Sequence, residues 1–300
     1  MQSRAVDGDA PFLAHVRQFL ADPTAATPRR IWLETMAKMT SGFGAAPGSS
    51  DPFIQAWQWG YTATLLLDHL QDGDVITPQW VADQPLALQY HLAFSSYVLA
   101  QRQLAALDPA VIPLRRCQRI QVLWADLLFR CAAGQYRDLT TVAEETHGVL
   151  GEEPLAAYEQ ICAYKTGTLF ALAFGGIAAL ATDAQPLIEA ATNAGMVYGM
   201  LLQYYDDLTD TNAQEQQLTT LTLQRALRSM KIHAEEREHL VAITWSLVHA
   251  QYLRALHAIL APLPDEVQTV MHTMIEQTVG GQRDDLLEVM VGAARNPHAR

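Results

Sequence analysis

Proline stands at or near the start of one long apolar stretch after another in this chain. Thr27-Pro28, Asp51-Pro52 and Asp108-Pro109 each put an N-cap residue before a proline at the first helical position, and Pro154, Pro186 and Pro264 stand near the starts of further apolar-periodic stretches. Between these signals the spacing of apolar residues predicts helices near 10–21, 28–40, 52–72, 84–107, 110–133, 154–181, 185–210, 217–230, 234–261 and 265–292. No segment alternates apolar and polar residues for long enough to argue for a strand. Asp72-Gly73 follows a helical pattern rather than opening a hairpin. The predicted class is all-α, with long helices able to surround a cavity.

Half of the 300 residues are apolar, so a large core is easily supplied. The widest break, Thr40 to Asp51, is rich in Gly, Ser and Pro but too close to the N-terminus to divide two useful domains, so a single domain over 1–300 is expected. Net charge is −12 and Lys38, Lys165 and Lys231 are the only lysines, which argues against nucleic acid as a partner. An acidic chain still binds an anion where metals invert the local field. Cys117, Cys131 and Cys162 are odd in number, widely spaced and in apolar surroundings, the pattern of reduced buried thiols in a cytoplasmic protein. The N-terminus lacks the apolar core of a signal peptide. Thr166 to Thr182 is uncharged but falls short of a comfortable span of about 20 residues. It also contains Gly167, Gly175 and Gly176, so it reads as a buried central helix and no transmembrane segment is expected.

Chemistry is suggested by two acidic clusters far apart in the chain. Asp68 and Asp72 are four residues apart, as are Asp206 and Asp210, so in a helix each pair shares one face. Carboxylates crowded that way repel, and divalent cations relieve the repulsion. Asp284-Asp285-Leu286-Leu287-Glu288 has the same spacing and reads as a solvated helix face. What separates the first two clusters is context: Pro52 to Leu67 and Ala190 to Tyr205, which lead into them, carry no charge. Two such faces across a cavity would hold a metal cluster suited to a diphosphate. The run Arg115-Arg116-Cys117-Gln118-Arg119 reads as an exposed helix face or a small anion patch.

Further motifs surround these clusters. Gly199 and Gln203 precede Asp206-Asp207-x-x-Asp210; Tyr164-Lys165-Thr166-Gly167-x-Leu169 lies upstream; Gly134-Gln135-x-x-Asp138-Leu139 lies before that. In this order, and with the first cluster, they resemble the trans-polyprenyl diphosphate synthases of the class I isoprenoid synthase superfamily, over roughly 28–212. The resemblance implies a single helical bundle around a deep central cavity. It implies three magnesium ions held by Asp68, Asp72 and Asp206, with Asp210 and Asp207 in support. Lys165 and the metals would neutralise the diphosphate as an allylic C–O bond ionises, while Thr166, Gln203 and Gln135 position the substrate.

The sequence also departs from the family pattern. His69 replaces one of two adjacent aspartates in the first cluster, residues 73–78 offer no cation, and Thr211 to Met230 offers only Arg225 and Arg228. Pro28-Arg29-Arg30 stands where the family binds isopentenyl diphosphate; Arg29 and Arg30 are a remnant anion site or ordinary helix-surface charges. Thr64 and Tyr61 lie below Asp68 on its helix face, so Tyr61 could floor a prenyl pocket, or with Trp57 and Trp59 simply belong to the core.

The expected function is magnesium-dependent ionisation of an allylic prenyl diphosphate with prenyl transfer, in isoprenoid biosynthesis. The eroded second site leaves a terpene cyclase, a prenyltransferase of peptide or other acceptors, and a non-catalytic subunit of a heteromeric synthase as alternatives. Isopentenyl diphosphate is a possible second substrate. The resemblance implies a homodimer using helices near 84–133, or a heteromer with a complete synthase.

Overall fold

The computed structural model describes residues 27–73, 79–146, 154–209 and 249–280, together with Ala14 and Gln18. Among them every regular element is helical. The elements are α1 (Thr27–Gly42), α2 (Asp51–Asp72), the short α3 (Gln79–Ala82), α4 (Leu86–Leu104), α5 (Leu114–Thr146) and α6 (Pro154–Cys162). A π-helical turn, Ala163–Gly167, leads into α7 (Thr168–Ala181), followed by α8 (Gln185–Thr209). Residues 249–260 form α9, and α10 (Asp265–Ile275) runs into a second π turn, Glu276–Gly280. The all-α expectation holds. Two compact units are distinguished, Met1–Glu34 with Asp51–Leu107 and Thr35–Ser50 with Asp108–Arg300.

The first unit is built on α2 packed against α4. Phe53, Trp57, Ala63 and Leu66 of α2 and Leu92, Ala93 and Ala100 of α4 are buried. Trp57 stacks on Tyr61 at 5.3 Å between ring centroids, and Trp32 meets the two rings edge-on at 6.3 and 5.4 Å. Such aromatic pairs add about 1 kcal/mol each beyond the area they bury. Helix α2 stops at Asp72 because Gly73 takes a positive φ of 74°, the left-handed cap that closes many helices.

The second unit is organised around α7, whose 14 residues are all buried. A helix apolar on every side has to be surrounded; α5 and α8 pack against it. Phe170, Phe174 and Tyr198 form its aromatic centre, with centroids 5.0 to 6.1 Å apart. Among the described residues one rod, Ala156–Ala181, is long and apolar enough to cross a membrane, and 78% of its apolar window is buried inside the protein. Cys117, Cys131 and Cys162 are free and buried.

Several boundaries differ from the sequence expectation. Asp108-Pro109 opens a turn, not a helix: the Asp108 carboxylate accepts from the Ala110 amide at 2.9 Å, its carbonyl accepts from Val111 and Ile112, and α5 begins only at Leu114, after Pro113. Helix α5 then continues beyond 133 to Thr146, carrying Gly134 in its middle. The helix expected over 154–181 is interrupted by the π turn. Of the helices expected at 10–21 and 217–230, only Ala14 and Gln18 are described, and both are helical. The first part of 234–261 and the last part of 265–292 also lie outside the described residues.

The arginine run at the start of α5 is neither a bare face nor an open anion site. Arg115, Arg116 and Arg119 all donate to Asp183, in the loop between α7 and α8. Arg116 also donates to the carbonyls of Leu180 and Ala181, and Arg119 to that of Thr182. Cations thus satisfy the orphan carbonyls where α7 ends, at the negative end of its dipole. The guanidinium groups hold the Asp183 carboxyl far below the usual carboxylate range.

Candidate active site

Residues from all three internal motifs meet in the second unit. The close approach rests on two glycines. A methyl group on Gly134 of α5 would lie 2.7 Å from Tyr164 Cβ and 2.8 Å from the Lys165 amide nitrogen. One on Gly199 of α8 would lie 2.5 Å from the Thr166 carbonyl oxygen. Both helices therefore press their backbones onto the same π turn, which carries Tyr164, Lys165 and Thr166. A π turn inside an α-helix is uncommon and concentrates at functional sites.

Two polar groupings result. Lys165 Nζ donates to Asp138 Oδ2 at 2.7 Å, from the π turn to α5. Thr166 donates to Gln203 Oε1; Gln203 Nε2 donates to Asp207 Oδ1 at 2.9 Å; and the Tyr158 hydroxyl donates to Asp207 Oδ2 at 2.6 Å. Both carboxylate oxygens of Asp207 thus accept from protein donors. Burial first, then the Asp207 charge, pushes the Tyr158 hydroxyl well above its usual range, so it remains a donor. Burial and the same carboxylate push the Cys162 thiol up too, which makes it a poor nucleophile. Tyr204 donates to Glu159 at 3.2 Å and packs against Tyr252, whose hydroxyl burial pushes up to about 12.

The predicted residues fall into distinct environments. Lys165, Thr166, Gln203 and Asp207 lie in these networks. Gln135, next to Gly134, has a buried amide nitrogen without a hydrogen-bond partner, a donor suited to a ligand oxygen. Asp206 is exposed at the end of α8. Asp68 and Asp72, in the other unit, are half-buried in the last turns of α2. Thr64 donates to the Tyr61 carbonyl at 2.9 Å, and Tyr61 is held in the tryptophan cluster. Arg30 is exposed and pairs with Glu34 one turn on, at 2.9 Å. Asp210 and the side chain of Arg29 lie outside the described residues.

Two residues have no role readable from the sequence. Asp138 is part of the Gly134-Gln135 motif, but its value is visible only once Lys165 is opposite it. Tyr158 gives no sequence signal at all, since its partner lies 49 residues away.

The carboxylates suit a hard cation. Asp68, Asp72, Asp206 and Asp207 stand at the C-terminal ends of α2 and α8, where the helix dipole makes a negative charge unfavourable and a cation welcome. Among the described residues no three His, Cys, Asp or Glu side chains come together to hold a metal. At each of these helix ends one or two carboxylates are on offer, the number that a hard cation such as magnesium takes when water and phosphate oxygens complete its shell.

The sequence model of the polyprenyl synthetase family matches residues 27–222. No curated protein sequence matches the chain. Among solved structures it is similar to a geranylgeranyl pyrophosphate synthetase from the archaeon Geoglobus acetivorans, at 18% identity and a TM-score of 0.70, over 91% of this chain and 92% of that one. A farnesyl diphosphate synthase from T. brucei gives 13% identity and a TM-score of 0.70, covering 90% and 91% of the two chains. A decaprenyl diphosphate synthase from Rhodobacter capsulatus gives 16% and 0.65, covering 90% and 95%. At these identities the likeness establishes the fold.

Proposed function

Because this chain belongs to the polyprenyl synthetase family and is a prenyltransferase of isoprenoid biosynthesis, we propose that it ionises an allylic prenyl diphosphate with magnesium and joins the prenyl group to isopentenyl diphosphate. The observation that carries this reading is the convergence of Lys165, Thr166 and Gln203, from two separate motifs, where α8 presses on the π turn.

In the proposed reaction Asp68, Asp72, Asp206 and Asp210 hold the magnesium ions through carboxylate oxygens. Bound magnesium supplies Lewis-acid stabilisation of the departing diphosphate. Lys165 adds a fixed positive charge to the same oxygens, oriented beforehand by Asp138. The Gln135 amide donates a further hydrogen bond. Thr166 and Gln203 present hydroxyl and amide dipoles to the allylic cation, and Gln203 is locked in orientation by Asp207. Arg29 and Arg30 are the proposed contacts for the second diphosphate.

The proposed assembly is a homodimer. Val122, Phe129 and Tyr136 of α5 recur at intervals of seven and are exposed, Phe129 at 77%. On α4, Leu86, Tyr90, Phe94, Tyr97 and Val98 are exposed as well. Apolar helix faces of this kind mark association surfaces. The reduced, buried cysteines suit a cytoplasmic location.

Magnesium-dependent diphosphate release from geranyl, farnesyl and geranylgeranyl diphosphates, each with and without isopentenyl diphosphate, tests the reading. Release that requires isopentenyl diphosphate and yields a longer chain supports elongation. Release without it, giving a hydrocarbon or alcohol, replaces elongation by cyclisation or another acceptor. No release in any mixture overturns the catalytic reading in favour of a partner-dependent subunit.

A further inference from the structure

We infer that Tyr158 is a positioning residue for the second aspartate cluster, fixing Asp207 and through it the last turn of α8 that presents Asp206. This rests on the metal-binding role proposed above for Asp206.

Helices α6 and α8 are joined by two reciprocal hydrogen bonds. Tyr158 of α6 donates to Asp207 of α8 at 2.6 Å, and Tyr204 of α8 donates to Glu159 of α6 at 3.2 Å. The Tyr158 side chain is almost fully buried, with its ring edge-on to Tyr204 at 5.1 Å, and Tyr204 packs on Tyr252 at 5.7 Å. Three rings therefore hold one hydroxyl in place. Since Gln203 takes the other oxygen of Asp207, that carboxylate is gripped at both ends and cannot swivel. Terminal helical turns ordinarily fray. Here the turn is held by a hydrogen bond to a charged group, about twice as strong as a neutral one. A tyrosine does this without neutralising Asp207, so the negative field that favours a cation beside Asp206 is kept. Tyr158 also sits on the rod that continues into Lys165, which links the lysine and the aspartate cluster mechanically.

The test is calorimetric titration of the full chain with manganese and inorganic diphosphate, alongside steady-state kinetics and thermal unfolding. Tyr158→Phe keeps the ring and removes the hydroxyl; Tyr204→Phe removes the companion bond between the same helices; Asp206→Ala removes a proposed ligand. Tyr158→Phe is expected to weaken manganese-dependent diphosphate binding about tenfold, the scale of a lost hydrogen bond to a charged group, and to lower kcat with it. Tyr204→Phe is expected to bind as the wild type does, even if both variants melt earlier. Wild-type binding by Tyr158→Phe, or equal weakening in the two phenylalanine variants, overturns the positioning role. If Asp206→Ala abolishes binding in that case, the metal site stands and only the role of Tyr158 falls. If Asp206→Ala also binds as the wild type does, the metal assignment itself falls, and the inference with it.

Discussion

Lys165 reaches from the π turn to α5 and places its ammonium 2.7 Å from the Asp138 carboxylate, with the two side chains only 13% and 3% exposed. Removing one member of a pair so withdrawn from water leaves the other charge poorly compensated. Asp138→Ala is expected to cost about 3 kcal/mol of stability, read by denaturant unfolding. Lys165→Met, similar in volume but uncharged, strands the more deeply buried carboxylate and is expected to cost a similar amount, while lowering turnover by about a hundredfold or more, the range for loss of one group that stabilises developing charge.

The glycines offer a separate handle on the same region. Gly134→Ala and Gly199→Ala each drive a methyl group against backbone of the π turn. Each is expected to destabilise by about 1–3 kcal/mol, the usual cost of overpacking. Because the displaced atoms belong to Lys165 and Thr166, kcat is expected to fall in both variants under conditions where they remain folded. Unchanged kcat would show that the approach is a packing detail without consequence for the site.

Asp206→Ala is expected to abolish magnesium-dependent turnover without shifting the unfolding midpoint by more than a degree or two, since Asp206 is exposed. Asp285→Ala, in the cluster where Asp284 and Glu288 are likewise four residues apart, is expected to change neither quantity. Equal turnover in the wild type and Asp206→Ala would remove the metal assignment.

Acid sensitivity is expected to have a component at Asp183. Its folded carboxyl titrates well below the ordinary value of 3.8 because three arginines donate to it. A depressed carboxylate contributes stability in full above its unfolded pKa, and that contribution is lost as pH falls toward its folded pKa. Thermal midpoints of the wild type and Asp183→Asn should therefore differ most above about pH 4–5 and converge in stronger acid. High salt should also narrow the gap, since the cluster lies at the surface. A gap independent of pH would mean that the arginines act only by capping α7.

Self-association is expected to depend on the α5 stripe. Phe129→Asp places a charge in the middle of the exposed row formed with Val122 and Tyr136. Sedimentation should show a dimer for the wild type and a monomer for the variant, while an unchanged oligomeric state would place the interface elsewhere.

What the sequence made legible was what local chemistry decides. Asp51-Pro52 and the uncharged run after it announced α2 to within a residue of its start, and the polar residues closing that run marked its end. Gly134 misled because glycine usually weakens a helix; here its missing side chain is what lets α5 touch the Lys165 backbone. Asp108-Pro109 misled because the same dipeptide that caps a helix also opens a turn. Lys165, Thr166 and Gln203 were found through motif order, yet that order could not say that Lys165 would be held by Asp138 or that Tyr158 would anchor Asp207. Those pairings belong to the tertiary structure, and no periodicity carries them.

The π turn at Ala163–Gly167 makes the 154–181 rod a device for phase adjustment. One residue more than an α-helical turn requires is accommodated there, and each residue of helix corresponds to about 100° of rotation. The part of the rod carrying Tyr158 is thereby set at a different angular phase from α7, which is fixed by burial on every side. Deleting one residue from the turn would let the rod close into ordinary α-helix without disturbing the core. Forcing all of its residues into ordinary α-helix, by contrast, would carry Tyr158 roughly a quarter of the way around the axis and out of line with Asp207.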